Sequence, residues 1–180
     1  GLHFGPPKVV LDADARLPWL GGRVGAPSVI RHDGMWFMVF EFGQGWGIGL
    51  AWSVDGRHFI PHDQPLLEPV GADEAGGIYS PSVVMINPNE IILFYESRSA
   101  DGVASLHSAR SDETWQFVRD GLILGPGVGC LDIQGQPETC WDAQGVAQPD
   151  VRLATTASGR RLLRMVYVGI GQGGKRLGFA

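Results

Sequence analysis

Short runs of apolar residues alternate along the whole chain with segments rich in Gly, Pro, Asp and Asn. The runs are rich in Val, Ile, Phe, Trp and Tyr, which favour strands, and no window carries the apolar spacing of a capped amphipathic helix. The pattern therefore predicts an all-β fold. Strands are expected near residues 28–32, 36–42, 47–53, 57–60, 82–87, 90–97, 103–109, 115–119, 150–154, 161–168 and 175–180.

The predicted strands form a pattern that occurs three times. Each copy opens on a proline, in Pro27-Ser-Val-Ile, Pro81-Ser-Val-Val and Pro149-Asp-Val-Arg, and continues through a turn into a long apolar run and then a shorter strand. The prolines are 54 and 68 residues apart (81 − 27 and 149 − 81). A repeat of about this size, built from short strands, is typical of the blades of a β-propeller.

The repeat predicts one domain over residues 1–180, with an outer strand at 1–11, blades at 25–70 and 79–124, and a partial blade at 147–180. The N-terminal Gly1-Leu-His-Phe matches Gly56-Arg-His-Phe, the expected fourth strand of a blade, whereas Leu177-Gly-Phe-Ala matches a third strand. We therefore expect the segment near 2–11 to pair beside the strand near 175–180, within one chain or across two.

About three four-stranded blades are too few to close a ring, since propellers typically carry about 4–8 blades. An open arc of blades would expose apolar faces and unpaired strand edges, both of which favour association. The expected partner is a second copy of the chain, in a two-fold homodimer that closes a ring of six blades. A longer product that contains further blades is the alternative.

Composition narrows the classes of function. The net charge is −5 and the 14 basic residues are scattered, so no nucleic-acid partner is expected. No apolar stretch approaches the ~20 residues that span a bilayer, so no membrane partner is expected, and cytoplasmic and secreted locations both stay open. The histidines lack metal-ligand spacing, and no cofactor or metal is expected. For the two cysteines, Cys130 and Cys140, free thiols are favoured over a disulfide.

Two segments carry a resemblance to a known group. The segment Ala26-Pro-Ser-Val-Ile-Arg-His-Asp-Gly-Met-Trp-Phe-Met, followed by Ile48-Gly-Leu-Ala-Trp-Ser-Val-Asp-Gly-Arg-His-Phe, resembles the five-bladed propeller glycoside hydrolases, which include arabinanases, β-xylosidases, levansucrases and invertases. The likeness recurs in Ser80-Pro-Ser-Val-Val and Gln148-Pro-Asp-Val. The matched residues are packing and turn residues, so the resemblance implies the fold more than an activity.

The resemblance also implies where catalytic carboxylates would lie. In that family a catalytic base and a second aspartate precede a blade-opening proline, and the general acid is a glutamate that opens the third blade. This chain has Ala26, Ser80 and, for the acid, Ala147 with Gln148 beside it. Glycoside hydrolysis ordinarily needs two carboxyl groups, so weak or no hydrolysis of arabinosides, xylosides or fructosides is expected.

Other carboxylates stand at repeated or loop positions. Glu41 and Glu96 end the second strands of the first two blades, where they either bind a ligand in the channel or pair with a local arginine and hold blades together. The loop before the third blade offers Glu138 and Asp142 as a candidate acid/base pair, with Trp141 as a platform for a sugar ring. An ordinary surface loop with a packed tryptophan is the alternative.

The loops that enter the inner strands define the expected ligand-binding face. Further candidate ligand-binding residues on this face are Trp19, Arg23, Tyr79, Gln148 and Asp150. We expect a glycosidase-like propeller that binds a carbohydrate or a related small molecule there. The alternatives are a glycoside hydrolase with relocated carboxylates or a site shared between chains, and a non-catalytic propeller that binds another protein.

Overall fold

The computed structural model describes residues 5–13, 17–112, 114–128 and 140–180. In this part of the chain strands and loops are accompanied by a short 3-10 turn at Pro18–Leu20 and by no α-helix, so the all-β prediction is confirmed. None of the described residues belongs to a helix that is long and apolar enough to cross a membrane. The strands are β1 (Val24–His32), β2 (Met35–Phe42), β3 (Gly47–Ser53), β4 (Ile60–Pro61), β5 (Gly77–Asn87), β6 (Glu90–Arg98), β7 (Ala104–Ser111), β8 (Val118–Leu124), β9 (Gly145–Thr155), β10 (Arg161–Gly171) and β11 (Gly174–Phe179).

The strands form three antiparallel units, which we name blades 1, 2 and 3. Blade 1 is β1-β2-β3-β4, blade 2 is β5-β6-β7-β8 and blade 3 is β9-β10-β11. One parallel pairing, between Ala104 and Gly145, joins blades 2 and 3 at one end. The first strands of the blades (β1, β5 and β9) line a shared open cavity, which we name the channel. This arrangement confirms the three predicted blades.

The core lies between the blades. Val39 and Ile48 of blade 1 are buried against Val83 of blade 2. Phe94 of blade 2 packs in the same way against Val151 of blade 3. Because each blade is covered on both faces where it has neighbours, the second strands read as continuous apolar runs rather than as alternating ones.

The inner strands begin earlier than the sequence predicts, at 24, 77 and 145 instead of 28, 82 and 150. The residue before each anchor proline has a positive φ: 43° at Ala26, 47° at Ser80 and 52° at Gln148. The pairing with the second strand shifts register around each of these residues and then continues beyond it. Each blade therefore accommodates its proline in a bulge, where a missing N–H costs no ladder hydrogen bond.

The fourth strand of blade 1 is shorter and later than predicted, at Ile60–Pro61 instead of 57–60. The Asp55 carboxylate accepts hydrogen bonds from the backbone N–H groups of Arg57 and His58, at 2.8 and 2.9 Å, and fixes a turn there. Hydrogen bonds from the His58 side chain and from this backbone hold the pKa of Asp55 well below its usual range. The predicted strand 115–119 is likewise β8, Val118–Leu124.

The N-terminal segment lies against blade 1. Residues 5–11 form no strand, and the Val10 carbonyl accepts a hydrogen bond from the Phe59 N–H at 3.1 Å. Leu11 and Leu17 pack on the cluster that contains Met38. Among the described strands, β11 pairs with β10 alone. The expected pairing of this segment with the C-terminal strand is therefore absent from the described part of one chain, and pairing across two chains stays a prediction.

Cys140 lies at the entry to blade 3 and is buried. It is disulfide-bonded, so the prediction of a free thiol at this position is wrong. The other cysteine of the sequence, Cys130, lies outside the described residues. A disulfide limits the conformations open to the unfolded chain and thereby favours the folded one.

Candidate functional site

The channel is a cavity of about 850 Å³. Its described lining consists of the same stretch of each inner strand: residues 26–31 of β1, 80–85 of β5 and 148–153 of β9. A cavity of this volume lies within the range of about 300–1,000 Å³ that is usual for small-molecule sites. The repeat thus brings three corresponding segments together around one space.

Three strained residues stand where the inner strands meet their prolines. Ala26, Ser80 and Gln148 adopt the left-handed region, which is uncommon for residues other than glycine and is disfavoured before proline. Such a conformation costs on the order of 1–3 kcal/mol and persists only where the surroundings hold it. The equivalent of Ala26 and Ser80 is Gln148 rather than Ala147, which is buried. The positions that the resemblance assigns to family carboxylates hold methyl groups, at Ala26 and Ala147, and a hydroxyl, at Ser80.

Glu41 and Glu96 bind the backbone of these strained residues. Oε2 of Glu41 accepts a hydrogen bond from the Ser80 N–H at 3.1 Å, and Oε2 of Glu96 accepts one from the Gln148 N–H at 3.2 Å. Each carboxylate thereby connects the second strand of one blade to the inner strand of the next. In blade 3 the corresponding residue is Val168, which has no acceptor in its side chain.

Glu96 has a second partner. It is fully buried, and its Oε1 lies 2.7 Å from Nε of Arg98. The Arg98 guanidinium stacks on the ring of Tyr79, 4.4 Å from its centroid, and the Tyr79 hydroxyl donates to the Gly76 carbonyl at 2.9 Å. This geometry is that of the sequence alternative in which the glutamate pairs with a local arginine. Both oxygens of Glu96 thus accept hydrogen bonds from protein groups.

A second polar link joins successive inner strands. Oγ of Ser28 accepts a hydrogen bond from the Val83 N–H at 3.1 Å, and Oγ of Ser82 accepts one from the Val151 N–H at 3.0 Å. Blade 3 carries Asp150 at this position. Asp150 is exposed, and its Oδ1 lies 3.1 Å from Nε of Arg152. It is the one carboxylate among the described residues that line the channel.

The predicted aromatic and basic residues of the loops differ in their surroundings. Trp19 is half-buried with its ring 4.8 Å from that of Phe42, and its buried Nε1 has no hydrogen-bond partner among the described residues. Trp141 is half-buried against the ring of Tyr167, at 5.6 Å. Arg23 is exposed. Of the three, only the arginine is exposed.

Of the candidate acid/base pair, Glu138 and Asp142, the structure describes Asp142 alone. Glu138 lies outside the described residues. Asp142 is completely buried in the interior of blade 3, where burial and then the Asp142 charge raise the pKa of Tyr167. Its catalytic role stays a prediction, and that role would require the buried carboxyl group to become accessible.

Sequence reasoning passed over one exposed aromatic residue. Trp46 is 60% exposed and follows Gly43, Gln44 and Gly45, all of which have positive φ. The inner face of its indole lies so close to Gly21 and Gly43 that a Cβ at either position would collide with the ring. The β2–β3 loop lies at the same end of blade 1 as the start of β1, so Trp46 shares the predicted ligand-binding end. The run of glycines around a tryptophan was the available signal.

A cluster of charged groups lies inside blade 2. The buried Glu74 carboxylate accepts hydrogen bonds from the Tyr95 hydroxyl at 2.7 Å, from Nε of Arg119 at 3.2 Å and from the Val70 N–H at 2.8 Å. Burial, followed by the hydrogen bond to Glu74, raises the pKa of Tyr95. Burial lowers the pKa of His107, whose Nδ1 lies 3.8 Å from Glu74. The cluster fixes the loop that enters β5, and no group of three or more His, Cys, Asp or Glu in the described ranges could hold a metal ion.

Comparison with known proteins identifies the fold. No protein-family model matches the chain, and no curated protein matches it either. Among solved structures, a thermostable family-43 glycoside hydrolase superposes with a TM-score of 0.54 at 16% identity, over 81% of this chain and 41% of that one. The catalytic domain of the Coprinopsis cinerea GH62 α-L-arabinofuranosidase superposes with a TM-score of 0.63 at 14% identity, over 92% and 56% of the two chains.

Sucrose-6-phosphate hydrolase from Lactobacillus gasseri gives a TM-score of 0.63 at 12% identity, over 90% of this chain and 30% of that one. The chain therefore has the β-propeller fold of these glycoside hydrolases, as the resemblance implied. It spans less than half the length of the family-43 hydrolase that it matches. At these identities the likeness establishes the fold alone.

Proposed function

We propose that the channel binds a carbohydrate or a related small molecule and hydrolyses glycosides weakly or not at all. One observation carries the proposal: the described channel lining contains a single carboxylate, Asp150, and this carboxylate is paired with Arg152. Glycoside hydrolysis ordinarily uses two carboxyl groups at a set separation. Glu41 and Glu96 lie outside the described channel lining, and each accepts a backbone N–H of the next blade.

The binding part of the proposal rests on the groups that surround the cavity. Ser80 and Gln148 offer neutral donors and acceptors, which suit the hydroxyl groups of an uncharged sugar. Arg31 and Arg152 add charged donors to the lining. Trp46 exposes an aromatic face at the predicted ligand-binding end, and such a face gives the C–H surface of a sugar ring apolar contact. A few placed polar groups in a concave site are the usual design of small-molecule pockets.

A hydrolase with relocated carboxylates is the second candidate. Its support is the shared fold, since the solved structures that superpose on the chain are described as glycoside hydrolases and an α-L-arabinofuranosidase. In that case Glu138 and Asp142, or residues of a second chain, would act as acid and base. Asp142 is completely buried, so this candidate requires a conformational change that exposes its carboxyl group.

Calorimetric titration tests the binding. Arabinotriose, xylotriose and the fructoside 1-kestose are the probes, and we expect at least one to bind the unmodified chain. Gln148→Ala should weaken that binding about 3–10-fold, the loss expected for one hydrogen bond. Gln116→Ala, which changes the same side chain at an exposed position away from the described channel lining, is the matched control. Binding of none of the three sugars, or an equal loss in the control, would contradict the proposal.

A rate measurement tests the hydrolase candidate separately. Release of p-nitrophenol from the α-L-arabinofuranoside and the β-D-xyloside should stay near the uncatalysed rate. A positioned acid or base typically contributes about 10²–10⁴-fold, so turnover that disappears in Glu138→Gln or Asp142→Asn would establish the hydrolase. Turnover that survives both substitutions would place the acid and base elsewhere in the chain.

A further inference from the structure

The same kind of contact joins blade 1 to blade 2 and blade 2 to blade 3. In each case a hydroxyl on the inner strand of one blade accepts the N–H of a valine on the next inner strand, Ser28 from Val83 and Ser82 from Val151. The third acceptor of the series, Asp150, belongs to blade 3 and meets no further blade. The third valine of the series is Val29, at the other end of the array, and it is exposed. Blade 3 thus carries an acceptor, and blade 1 the corresponding valine, of the hydrogen bond that joins the other inner strands.

The apolar part of the contact repeats as well. In each blade the strand registers place three residues at corresponding positions that face the next blade. They are Val39, Ile48 and Leu50 in blade 1, Phe94, Leu106 and Ser108 in blade 2, and Val166, Leu177 and Phe179 in blade 3. The members in blades 1 and 2 are buried. The members in blade 3 are 43%, 77% and 69% exposed, respectively. Blade 3 therefore keeps apolar side chains at positions where the other blades bury theirs against a neighbour.

We propose that the outward face of blade 3 docks against blade 1 of a second copy of this chain. We name this surface the leading face and define it by Asp150, Val166, Leu177 and Phe179. In the complex the Asp150 carboxylate accepts the Val29 N–H of the second copy, in the place of the serine hydroxyls. Two-fold symmetry makes two such contacts and closes the channel, which is otherwise open between blades 3 and 1.

The N-terminal segment leaves room for this contact. It covers Met38 and Phe40 of blade 1, and it corresponds to the connection between blades 1 and 2. In that connection, Leu66 and Leu67 pack inside the contact between the two blades rather than excluding it. A second copy can therefore dock on blade 1 with the segment in place. The contact between two copies would then have the same form as the two contacts between blades within one chain.

Three arginines act against docking. Arg152 stands where blade 1 has Ile30, and Arg164 stands where blade 1 has Phe37, so both lie on the same side of blade 3 as the leading face. Arg31 stands where blade 2 has Met85, on the surface that would meet them. Asp150 offsets part of the repulsion. Since salt screens exposed like charges, the association should strengthen as the salt concentration rises.

Light scattering on the 180-residue chain tests the proposal. We expect a mass of twice 19.4 kDa, and a larger dimer fraction in about 0.5 M than in about 0.05 M NaCl. Phe179→Asp should dissociate the dimer because it places a charge on the docked face. Val118→Asp is the matched control, since Val118 is also 69% exposed but lies on the outer strand of blade 2. A monomer under all conditions, or equal dissociation in the control, would overturn the proposal.

Engineered cysteines test the register of the contact. The pair Val29→Cys and Asp150→Cys should form a disulfide between two chains under mild oxidation. The pair Ser28→Cys and Val83→Cys, at a link already present in the structure, should form one within a single chain. Val118→Cys with Asp150→Cys serves as the control for random collision. Cross-linking of the first pair no faster than of this control would show that blade 3 does not dock on blade 1 of a second copy.

Discussion

Replacement of Glu96 by glutamine removes one charge from the contact between blades 2 and 3 while keeping the shape of the side chain. The carboxylate now accepts from Arg98 at 2.7 Å through Oε1 and from the Gln148 N–H at 3.2 Å through Oε2. An amide has one oxygen and one NH₂ group. Whichever way it turns, Glu96→Gln sets an N–H donor against Arg98 or against the Gln148 backbone, in a fully buried place.

The size of the effect follows from these contacts. Removing one partner of a buried ion pair costs about 3–5 kcal/mol, and one hydrogen bond to a charged group contributes about 1.5–3 kcal/mol. The Arg98 side chain is 44% exposed, so water can solvate part of the guanidinium that is left unpaired. We therefore expect Glu96→Gln to lower the free energy of unfolding by about 2–3 kcal/mol, below the range for a fully buried pair.

Thermal and urea unfolding, followed by circular dichroism, measure this loss. In a chain of this size a loss of about 2–3 kcal/mol corresponds to a fall in Tm of about 4–12 °C. Glu41→Gln is the matched control, because Glu41 is half-buried and makes the same backbone hydrogen bond, to Ser80, but has no described arginine partner. The Glu41→Gln substitution should lower the free energy of unfolding by about 1 kcal/mol. If both substitutions cost the same, the ion pair contributes nothing, and the account of the Glu96 contact is wrong.

Three further predictions concern blade 2 and its contact with blade 1. Glu74→Gln should lower the free energy of unfolding by about 3 kcal/mol in urea titrations, because it leaves Arg119 without its buried partner. Burial lowers the pKa of His107 from its ordinary 6.5, so its contribution to stability is complete above that pH and is lost as the pH falls below it. His107→Gln should therefore flatten the fall of Tm between about pH 7 and 5, and an unchanged slope would contradict this. Gly45→Ala should lower Tm, since the glycine has a φ of +92° and a Cβ there would overlap the ring of Tyr79, whereas Gly71→Ala, with similar φ and open space, should cost less.

The blades were predictable because their signals are local. Continuous apolar runs such as 36–40 arise only where a strand is covered on both faces, and the Asp33-Gly34 turn supplies the positive φ values that a tight hairpin needs. The recurring proline marked the start of each inner strand. Strand boundaries were less accurate at these prolines, since propensity gives no sign that a ladder resumes on the far side of a bulge.

The candidate site was less predictable because its contacts join residues distant in sequence. The partners Glu96 and Gln148 are 52 positions apart, and Glu74 and Arg119 are 45 apart. Nothing in the local pattern distinguishes a glutamate that accepts a backbone N–H of the next blade from one that faces a ligand. The positive φ that Ala26, Ser80 and Gln148 share before their prolines is likewise invisible in the local pattern, since none of them is a glycine.

A time course of proton NMR spectra tests the central claim most directly, because one sample reports both binding and hydrolysis. The chain is mixed with arabinotriose, xylotriose or 1-kestose, and saturation transferred from protein to sugar protons is recorded beside the signals of newly formed free sugars. The account predicts saturation transfer to at least one sugar, reduced in Gln148→Ala, with no growth of hydrolysis products. Products that accumulate in proportion to protein concentration, or the absence of transfer to any of the three sugars, would contradict it.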